Sequence, residues 1–169
     1  MTQPRIYIAD LAAYNNGILH GAWVDATQEL DDIQDQISAI LKASPIENAE
    51  EYAIHDYEGF ESVGVSEYQG ISEVQEIALF LEEHGALGAE LLNHYSDTEE
   101  AQKAMDEAYY GCYGSAADYA QQLTEETNNV PEHLKYYIDY ERMAEDWRMS
   151  GDIFTIETSR DEIHIFSGN

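Results

Sequence analysis

The first third of the chain has the spacing of a small unit built from strands and one helix. Isoleucine occupies every second position of a short stretch, at Ile6 and Ile8, and the turn signal Asn15-Asn16-Gly17 leads into an apolar segment over 18–26. Together these features predict a hairpin. Thr27 is the predicted cap of a helix that ends at Ser44-Pro45, and a third strand is predicted over 52–57. The apolar positions at helical spacing are Leu30, Ile33, Ile37, Ile40 and Leu41.

The middle third has the helical period throughout. Ser72-Glu73-Val74-Gln75 fits a capping box, and Gly85 is the predicted end of this helix. A second short helix is predicted over 87–95. A further capping box, Ser96-Asp97-Thr98-Glu99, predicts a helix that reaches about Ala108. The apolar stripe of the first of these helices consists of Val74, Ile77, Ala78 and Leu81.

The last third combines helices with a pair of strands. A helix is predicted to begin at Ser115, and Pro131 suits the first turn of another. A last helix over 139–149 should end at Gly151, and strands over 153–158 and 162–166 alternate around a turn near 159–160. The whole pattern predicts an α+β fold, which at this length can bury one core or be split into two or three small ones.

Charge changes this picture more than any motif. The chain has 35 acidic residues against 7 Lys and Arg, a net charge of −28 over 169 residues. The excess is spread over folded-looking segments, with no acidic tail. Such a chain repels nucleic acids and anionic membranes, so a basic protein partner is favoured. No apolar run approaches the roughly 20 residues that span a bilayer, and the start of the chain lacks the pattern of a signal peptide. The prediction is therefore an unexported, cytoplasmic protein.

The sequence offers no residues for catalysis or for a cofactor. No carboxylate pair stands out for hydrolysis, and a nucleophile elbow, a phosphate-binding glycine loop, an HExxH motif and an EF-hand loop are all missing. The single Cys112 excludes an internal disulfide and a thiolate cluster, and it is predicted to be a small buried residue. The prediction is a protein that is not an enzyme, with no metal and no cofactor.

The acid excess itself suggests a use. Duplex DNA carries one charge per about 1.7 Å of axis, so 28 charges match the phosphates of roughly 14 base pairs. Carboxylates on exposed helical positions are spaced like phosphates along a strand. We therefore expect a distributed partner-binding surface rather than a compact site. Its candidate residues are Asp31, Asp32, Asp35, Glu73, Glu76, Glu83, Glu90, Glu99, Glu100, Asp106, Glu107, Glu125 and Glu126.

The 13 tyrosines allow two interpretations. Tyrosine supplies core area with a polar tip, which suits small units with little apolar interior. It is also enriched at protein–protein contacts, so Tyr136, Tyr137, Tyr140 and Trp147, close in sequence to Leu134, Ile138 and Met143, are candidates for a dimer patch. Both interpretations remain open on the sequence alone.

Several stretches of the chain, in order, resemble the ArdA family of antirestriction proteins. The resemblance covers nearly the whole chain. It is carried by residues 13–17 (AYNNG), 21–25 (GAWVD), 52–60 (YAIHDYEGF), 83–85 (EHG), 91–92 (LL), 130–140 (VPEHLKYYIDY) and 150–152 (SGD).

The resemblance implies a function and an assembly. ArdA proteins are encoded on conjugative plasmids and transposons, and they inhibit type I restriction-modification enzymes by mimicking bent B-form DNA in the DNA-binding groove. They are elongated, three-domain, acidic homodimers. For this chain the resemblance implies three small consecutive domains: an α+β domain over 1–60, a mainly helical domain over 61–108 and an α+β domain over 109–169 that holds the dimer contact. The stretch from 130 to 147 is similar to the antirestriction motif of the family, which is associated with the dimer contact. Here that motif contains Leu134, Tyr136, Tyr137, Ile138, Asp139, Tyr140 and Trp147.

Two alternative functions would also account for the net negative charge. One is an acidic mimic or adaptor directed at another DNA-binding protein, such as a nucleoid protein or a polymerase. The other is a halophile protein whose charge serves only solubility, which predicts a failure to fold at low salt.

Overall fold

The computed structural model describes residues 2–168, and these fall into two compact units. Unit 1 extends to Thr98, and unit 2 begins at Glu99. Both units combine helices with a three-stranded antiparallel sheet. The predicted mixture of α and β structure is therefore confirmed, whereas the division into three domains stays a prediction.

The elements of unit 1 in chain order are β1 (Arg5–Asp10), α1 (Leu11–Asn15), β2 (Gly21–Asp25), α2 (Leu30–Lys42), β3 (Tyr52–Glu58) and α3 (Ile71–Tyr95). The three strands form a sheet with the order β2-β1-β3. Ile6 and Ile8 of the central strand are fully buried, and so is Ile33 of α2, which packs on β1 and β2. Burying each such side chain stabilises the fold by roughly 2 kcal/mol.

The predicted hairpin exists, but its connection differs from the expectation. β1 and β2 pair antiparallel, yet a short helix, α1, stands between them and β2 begins only at Gly21. The cause is Asp10, whose buried side chain accepts a hydrogen bond from the backbone N–H of Ala13 at 3.3 Å and so caps α1. The turn at Gly17, with φ 75°, follows the helix instead of forming the hairpin loop.

Two predicted helix caps are wrong, and one predicted helix break is confirmed. Thr27 does not cap α2, because its hydroxyl donates to Asp25 Oδ1 at 2.7 Å and the helix begins at Leu30. α3 begins at Ile71, with Gly70 in the cap position, so Ser72 lies inside its first turn. Gly85 interrupts α3 with φ 57° and ψ −137°, a conformation open almost only to glycine.

The elements of unit 2 are α4 (Thr98–Lys103), a π-helical turn (Ala104–Ala108), β4 (Tyr109–Tyr113), α5 (Ala116–Thr127), a 3₁₀ helix (Glu132–Tyr137), α6 (Tyr140–Ser150), β5 (Ile153–Ser159) and β6 (Glu162–Ser167). The first residue of α4, Thr98, is the last residue of unit 1. The three strands form a sheet with the order β4-β6-β5. The core of the unit is a cluster of Tyr119, Ile153 and Ile165.

Most boundaries of unit 2 follow the sequence prediction. The Ser115 hydroxyl accepts from the backbone N–H of Asp118 at 3.1 Å, which caps α5 as expected. Gly151 ends α6 with φ 82°, and β5 and β6 pair antiparallel. Pro131 precedes a 3₁₀ helix rather than an α-helix. The strand β4 was not predicted, because its five residues contain Gly111 at a bulge, with φ 117°, instead of a clean apolar alternation.

Candidate partner-binding surface

The structure places nearly all of the acidic side chains in solvent. Of the 35 acidic residues, 32 are exposed; Asp25 and Glu58 are half-buried and Asp10 is fully buried. Residues up to 98 hold 19 acids and 2 bases, and residues from 99 hold 16 and 5, so the two units carry net charges of −17 and −11. Each unit therefore presents its own strongly negative surface.

In unit 1 the predicted carboxylates lie on α2 and α3. α2 buries Ile33 and Ile37 against the sheet, so its acids are left on the solvent side. The two acids in its first turn also favour the helix through the positive end of its dipole. All seven predicted acids of this unit are exposed, namely Asp31, Asp32, Asp35, Glu73, Glu76, Glu83 and Glu90.

In unit 2 the predicted carboxylates lie on α4, on the π-helical turn and at the end of α5. The pair on α5 lies at the C-terminal end of its helix, where the dipole disfavours negative charge. Fold stability therefore does not explain why acids occupy that end. All six predicted acids of this unit are exposed: Glu99, Glu100, Asp106, Glu107, Glu125 and Glu126.

Several surface carboxylates have a glutamine four residues earlier in the chain. Its side-chain amide donates to the carboxylate at 3.0 to 3.2 Å in the helical pairs Gln102–Asp106, Gln121–Glu125 and Gln122–Glu126, and in the pair Gln69–Glu73, where Gln69 lies just before α3. At this spacing a lysine or arginine would stabilise the helix by a similar amount and would cancel the charge. Glutamine holds the carboxylate in place and leaves the charge intact.

The basic residues neutralise little of this surface. Seven bases can balance at most one-fifth of 35 acids. Three of the bases are engaged locally: Arg5 pairs with Glu58, Lys135 Nζ lies 3.1 Å from Glu132 Oε2, and Arg148 Nη1 lies 3.3 Å from Glu145 Oε2. The hydrogen bond and charge of Glu132 raise the pKa of Lys135, which stays protonated.

The aromatic motif of unit 2 divides into an exposed part and a packed part. On the 3₁₀ helix, Tyr136 and Tyr137 are 92% and 84% exposed and Leu134 is 44% exposed. Trp147 is instead half-buried, with its ring 6.1 Å from that of Tyr119, in the layer around the core cluster. Leu134, Tyr136 and Tyr137 are thus exposed on one short helix, whereas Trp147 has a packing role in its own unit.

The remaining members of the motif connect these two parts. Asp139 is exposed and caps α6, because its Oδ1 accepts from the backbone N–H of Arg142 at 3.0 Å. Ile138 and Tyr140 are half-buried. The hydroxyl of Tyr140 is buried without a hydrogen-bond partner among the described residues, which is a cost to the isolated chain.

A polar network in unit 2 surrounds His164. The Tyr109 hydroxyl lies 2.7 Å from Nδ1 and the Thr158 hydroxyl lies 3.0 Å from Nε2, so both ring nitrogens have partners. Burial lowers the pKa of His164, while the nearby Glu162 opposes the shift. Burial also raises the pKa of Tyr109. The arrangement favours a neutral imidazole that links β6 to both of its neighbouring strands.

An aromatic groove in unit 1 was missed by the sequence analysis. It has a volume of about 420 Å³ and lies where the loop after β3 passes along the edge of the sheet. It is lined by Tyr14, Ile54, His55, Tyr57, Val65 and Glu67. The signal was weak, because these residues are spread over α1, β3 and the loop, and only the folded sheet brings them together.

Three further predictions concern exposure, metals and membranes. Cys112 is exposed, so the prediction of a buried cysteine is wrong; on the short strand β4 its side chain lies on the solvent side. Within residues 2–168 there is no group of three or more His, Cys, Asp or Glu side chains that could hold a metal ion. None of the helices described here is long and apolar enough to cross a membrane.

Fold and surface together define a class: an acidic protein of mixed α and β structure in which nearly all of the carboxylates are exposed. The family follows from sequence comparison. Residues 6–162 match the family described as "Antirestriction protein (ArdA)", and the chain belongs to this family of non-catalytic antirestriction proteins. The resemblance noted from the motifs is thus confirmed. A comparison with curated proteins gives no match.

Proposed function

We propose that this antirestriction protein acts as a DNA mimic that inhibits type I restriction-modification enzymes. Its carboxylates stand in for DNA phosphates and pair with the lysine and arginine side chains that line the DNA-binding groove of the enzyme, in the cytoplasm. The observation that carries the proposal is the exposure of 32 of 35 acidic residues, which the chain's own bases do not neutralise. Competition for the groove then requires no catalytic group.

The proposed mechanism is electrostatic competition. A negative surface that meets a positive groove is attracted from a distance, which accelerates association, and both attraction and affinity fall as salt rises. The binding is distributed over many carboxylates, of which the thirteen on α2, α3, α4, the π-helical turn and α5 are the proposed core. An inhibitor of this kind loses little when any single contact is removed.

We further propose that two copies associate through the exposed part of the aromatic motif. Leu134, Tyr136 and Tyr137 are three exposed large side chains on one six-residue 3₁₀ helix. Large aromatic side chains of this kind carry much of the binding energy in protein interfaces. A homodimer would double the length of charged surface offered to one groove.

The test is inhibition of ATP-dependent DNA cleavage. The purified protein is titrated into a reaction in which a type I restriction enzyme cleaves an unmodified plasmid, with a type II endonuclease on the same plasmid as the control. We expect loss of type I cleavage near stoichiometric protein, with the type II enzyme unaffected. Raising the salt should weaken the inhibition.

Three results would contradict the proposal or its electrostatic mechanism. Equal inhibition of both enzymes would indicate a nonspecific polyanion, and the absence of inhibition would direct the search to another DNA-binding protein. Inhibition that does not change with salt over the physiological range would exclude the electrostatic mechanism.

A further inference from the structure

The aromatic groove of unit 1 owes its shape to a β-bulge. In the pairing of β1 with β3, Tyr7 lies opposite Asp56 and the next residue, Ile8, lies opposite Ile54. His55 is therefore the extra residue of the bulge, without a partner on β1. Bulges redirect side chains and are over-represented next to functional sites.

His55, which the bulge redirects, forms one wall of the groove together with Tyr14 and Glu67. The His55 ring meets the Tyr14 ring edge-on, with centroids 4.7 Å apart, and its Nε2 lies 3.4 Å from Glu67 Oε1. Glu67 is held beside the strand, because its backbone carbonyl accepts from the N–H of Ile54 at 2.9 Å. The loop that carries this carboxylate is thereby fixed to the sheet edge.

The open side of the groove is aromatic. Tyr14 and Tyr57 are 51% and 39% exposed, and the Tyr57 ring is braced by an edge contact with Phe60 at 5.9 Å. Two exposed rings and a carboxylate on a loop that is bonded to the sheet edge, around a cavity of about 420 Å³, are the chemical elements of a cation-binding site. The surrounding unit, with a net charge of −17, attracts cations to it.

We propose that this groove binds the guanidinium group of an arginine side chain on a basic protein partner. A guanidinium is planar, stacks on aromatic faces and donates two parallel hydrogen bonds to a carboxylate. The Glu67 carboxylate has lone pairs beyond those that face His55, so it can accept such a donor while it stays in place. Lysine has a compact, strongly hydrated charge and fits this combination less well.

This groove would add a directional contact to an otherwise distributed surface. Only the identification of the partner as a DNA-binding enzyme rests on the proposed function; binding of a guanidinium by the groove does not. In a mimic that spreads its binding over many carboxylates, one arginine held between aromatic rings would set how unit 1 is placed on its partner.

The test uses a short peptide as the probe. Acetyl-Gly-Arg-Gly-amide, whose only charge is the guanidinium, is titrated into the full-length protein and followed in two-dimensional NMR spectra. We expect saturable shifts at the residues that line the groove. The citrulline peptide, neutral and of the same shape, should leave these signals unchanged, and the lysine peptide should bind at least about threefold more weakly.

Matched variants separate the groove from general attraction to the charged surface. Glu67→Gln should weaken binding about threefold, and Tyr14→Ala by a similar factor, whereas Tyr14→Phe should retain it. The controls are Glu61→Gln and Tyr68→Ala, which alter an exposed acid and an exposed tyrosine of the same loop outside the groove. The same spectra report whether each variant is folded.

Three outcomes would overturn the assignment. They are shifts spread over all acidic residues without saturation, equal weakening by Glu61→Gln and Glu67→Gln, and equal binding of the arginine and lysine peptides. Peptide binding without inhibition of type I cleavage would leave the groove standing and remove the proposed function. Inhibition of type I cleavage without peptide binding would leave the proposed function standing and remove the assignment of the groove.

Discussion

At the scale of single residues, His164 couples the stability of unit 2 to pH. Its two ring nitrogens are engaged by Tyr109 and Thr158, and burial lowers its pKa below the ordinary value of 6.5. The unfolded chain therefore binds this proton more readily than the folded chain does. The contribution of His164 to stability is complete above about pH 6.5 and is lost as the pH falls through the lowered pKa.

A comparison of variants isolates this effect from the titration of the many carboxylates. We expect His164→Asn to lower the free energy of unfolding most above pH 6.5 and to lower it less as the pH falls. Urea denaturation of both proteins at a series of pH values measures this difference. The control Asn129→Ser, at an exposed position of unit 2 without a titratable side chain, should show a difference that does not change with pH. A flat profile for His164→Asn would contradict the assigned role.

The exposure of individual residues was predictable only where chemistry dictates it. Acidic side chains are almost never buried without a partner, so the exposure of all thirteen candidate carboxylates follows from their type and spacing. Cysteine is usually buried, but Cys112 lies on a five-residue strand with a bulge, and its exposure depends on that local geometry. The bulge at His55 depends in the same way on the register of two distant strands.

At the scale of elements, the break in α3 at Gly85 is a specific requirement of the fold. Its φ of 57° and ψ of −137° are strained for any residue with a Cβ. We expect Gly85→Ala to lower the free energy of unfolding by about 2 kcal/mol, since strain in such regions costs about 1–3 kcal/mol. Urea denaturation measures this loss.

The control for this substitution is Gly64→Ala. Gly64 has an ordinary φ, and an added Cβ would meet only the Tyr57 hydroxyl at 4.0 Å, so the change should be nearly neutral. A stabilising effect of Gly85→Ala would mean that the two halves of α3 can merge into one continuous helix.

The exposed 3₁₀ helix carries the prediction for assembly. If Tyr136 and Tyr137 form the contact between two copies, Tyr137→Ala should weaken the dimer by about 2 kcal/mol, or roughly thirtyfold in its dissociation constant. Sedimentation over a range of concentrations measures the change. Tyr68→Ala, which removes a tyrosine that is 71% exposed elsewhere, is the matched control. An unchanged dimer in Tyr137→Ala would show that the patch is wrongly assigned.

Element boundaries were predictable where one strong local signal acts alone. Ser115, Gly85 and Gly151 each specify a backbone conformation, and the structure follows them. The prediction failed at Thr27, because its hydroxyl is bonded to the Asp25 carboxylate and the helix begins three residues later, at Leu30. The short helix α1 and the strand β4 are too short for a periodic pattern, so tertiary pairing decides them.

At the scale of the whole molecule, the net charge of −28 predicts how stability depends on salt. The self-repulsion of like charges destabilises the compact state, and salt screens it. We expect the protein to be folded at about 50 mM NaCl and its melting temperature to rise with added salt. Calorimetry measures both. Unfolding at low salt would favour the alternative of a halophile protein whose charge serves only solubility.

The distributed surface predicts that charge matters in blocks. Replacing one exposed acid by its amide should weaken inhibition about twofold, because an exposed ion pair contributes about 0.2–1 kcal/mol. Replacing Glu73, Glu76, Glu83 and Glu90 together should weaken it by about 2 kcal/mol, or roughly thirtyfold. The cleavage titration described above measures both.

A second block of equal charge serves as the comparison. Glu99, Glu100, Glu125 and Glu126 lie in unit 2, and their joint replacement should have an effect of similar size. A single carboxylate whose loss abolishes inhibition would contradict a distributed surface.

The negative charge of the surface also affects how the edges of the two small sheets meet other copies of the chain. Each three-stranded sheet ends in two edge strands, β2 and β3 in unit 1 and β4 and β5 in unit 2. Unpaired backbone groups on such edges are templates for the strands of another copy. At neutral pH the surrounding carboxylates repel an approaching copy. The sequence pI is about 4.1, so acidification removes this repulsion, and precipitation near that pH should begin at the sheet edges.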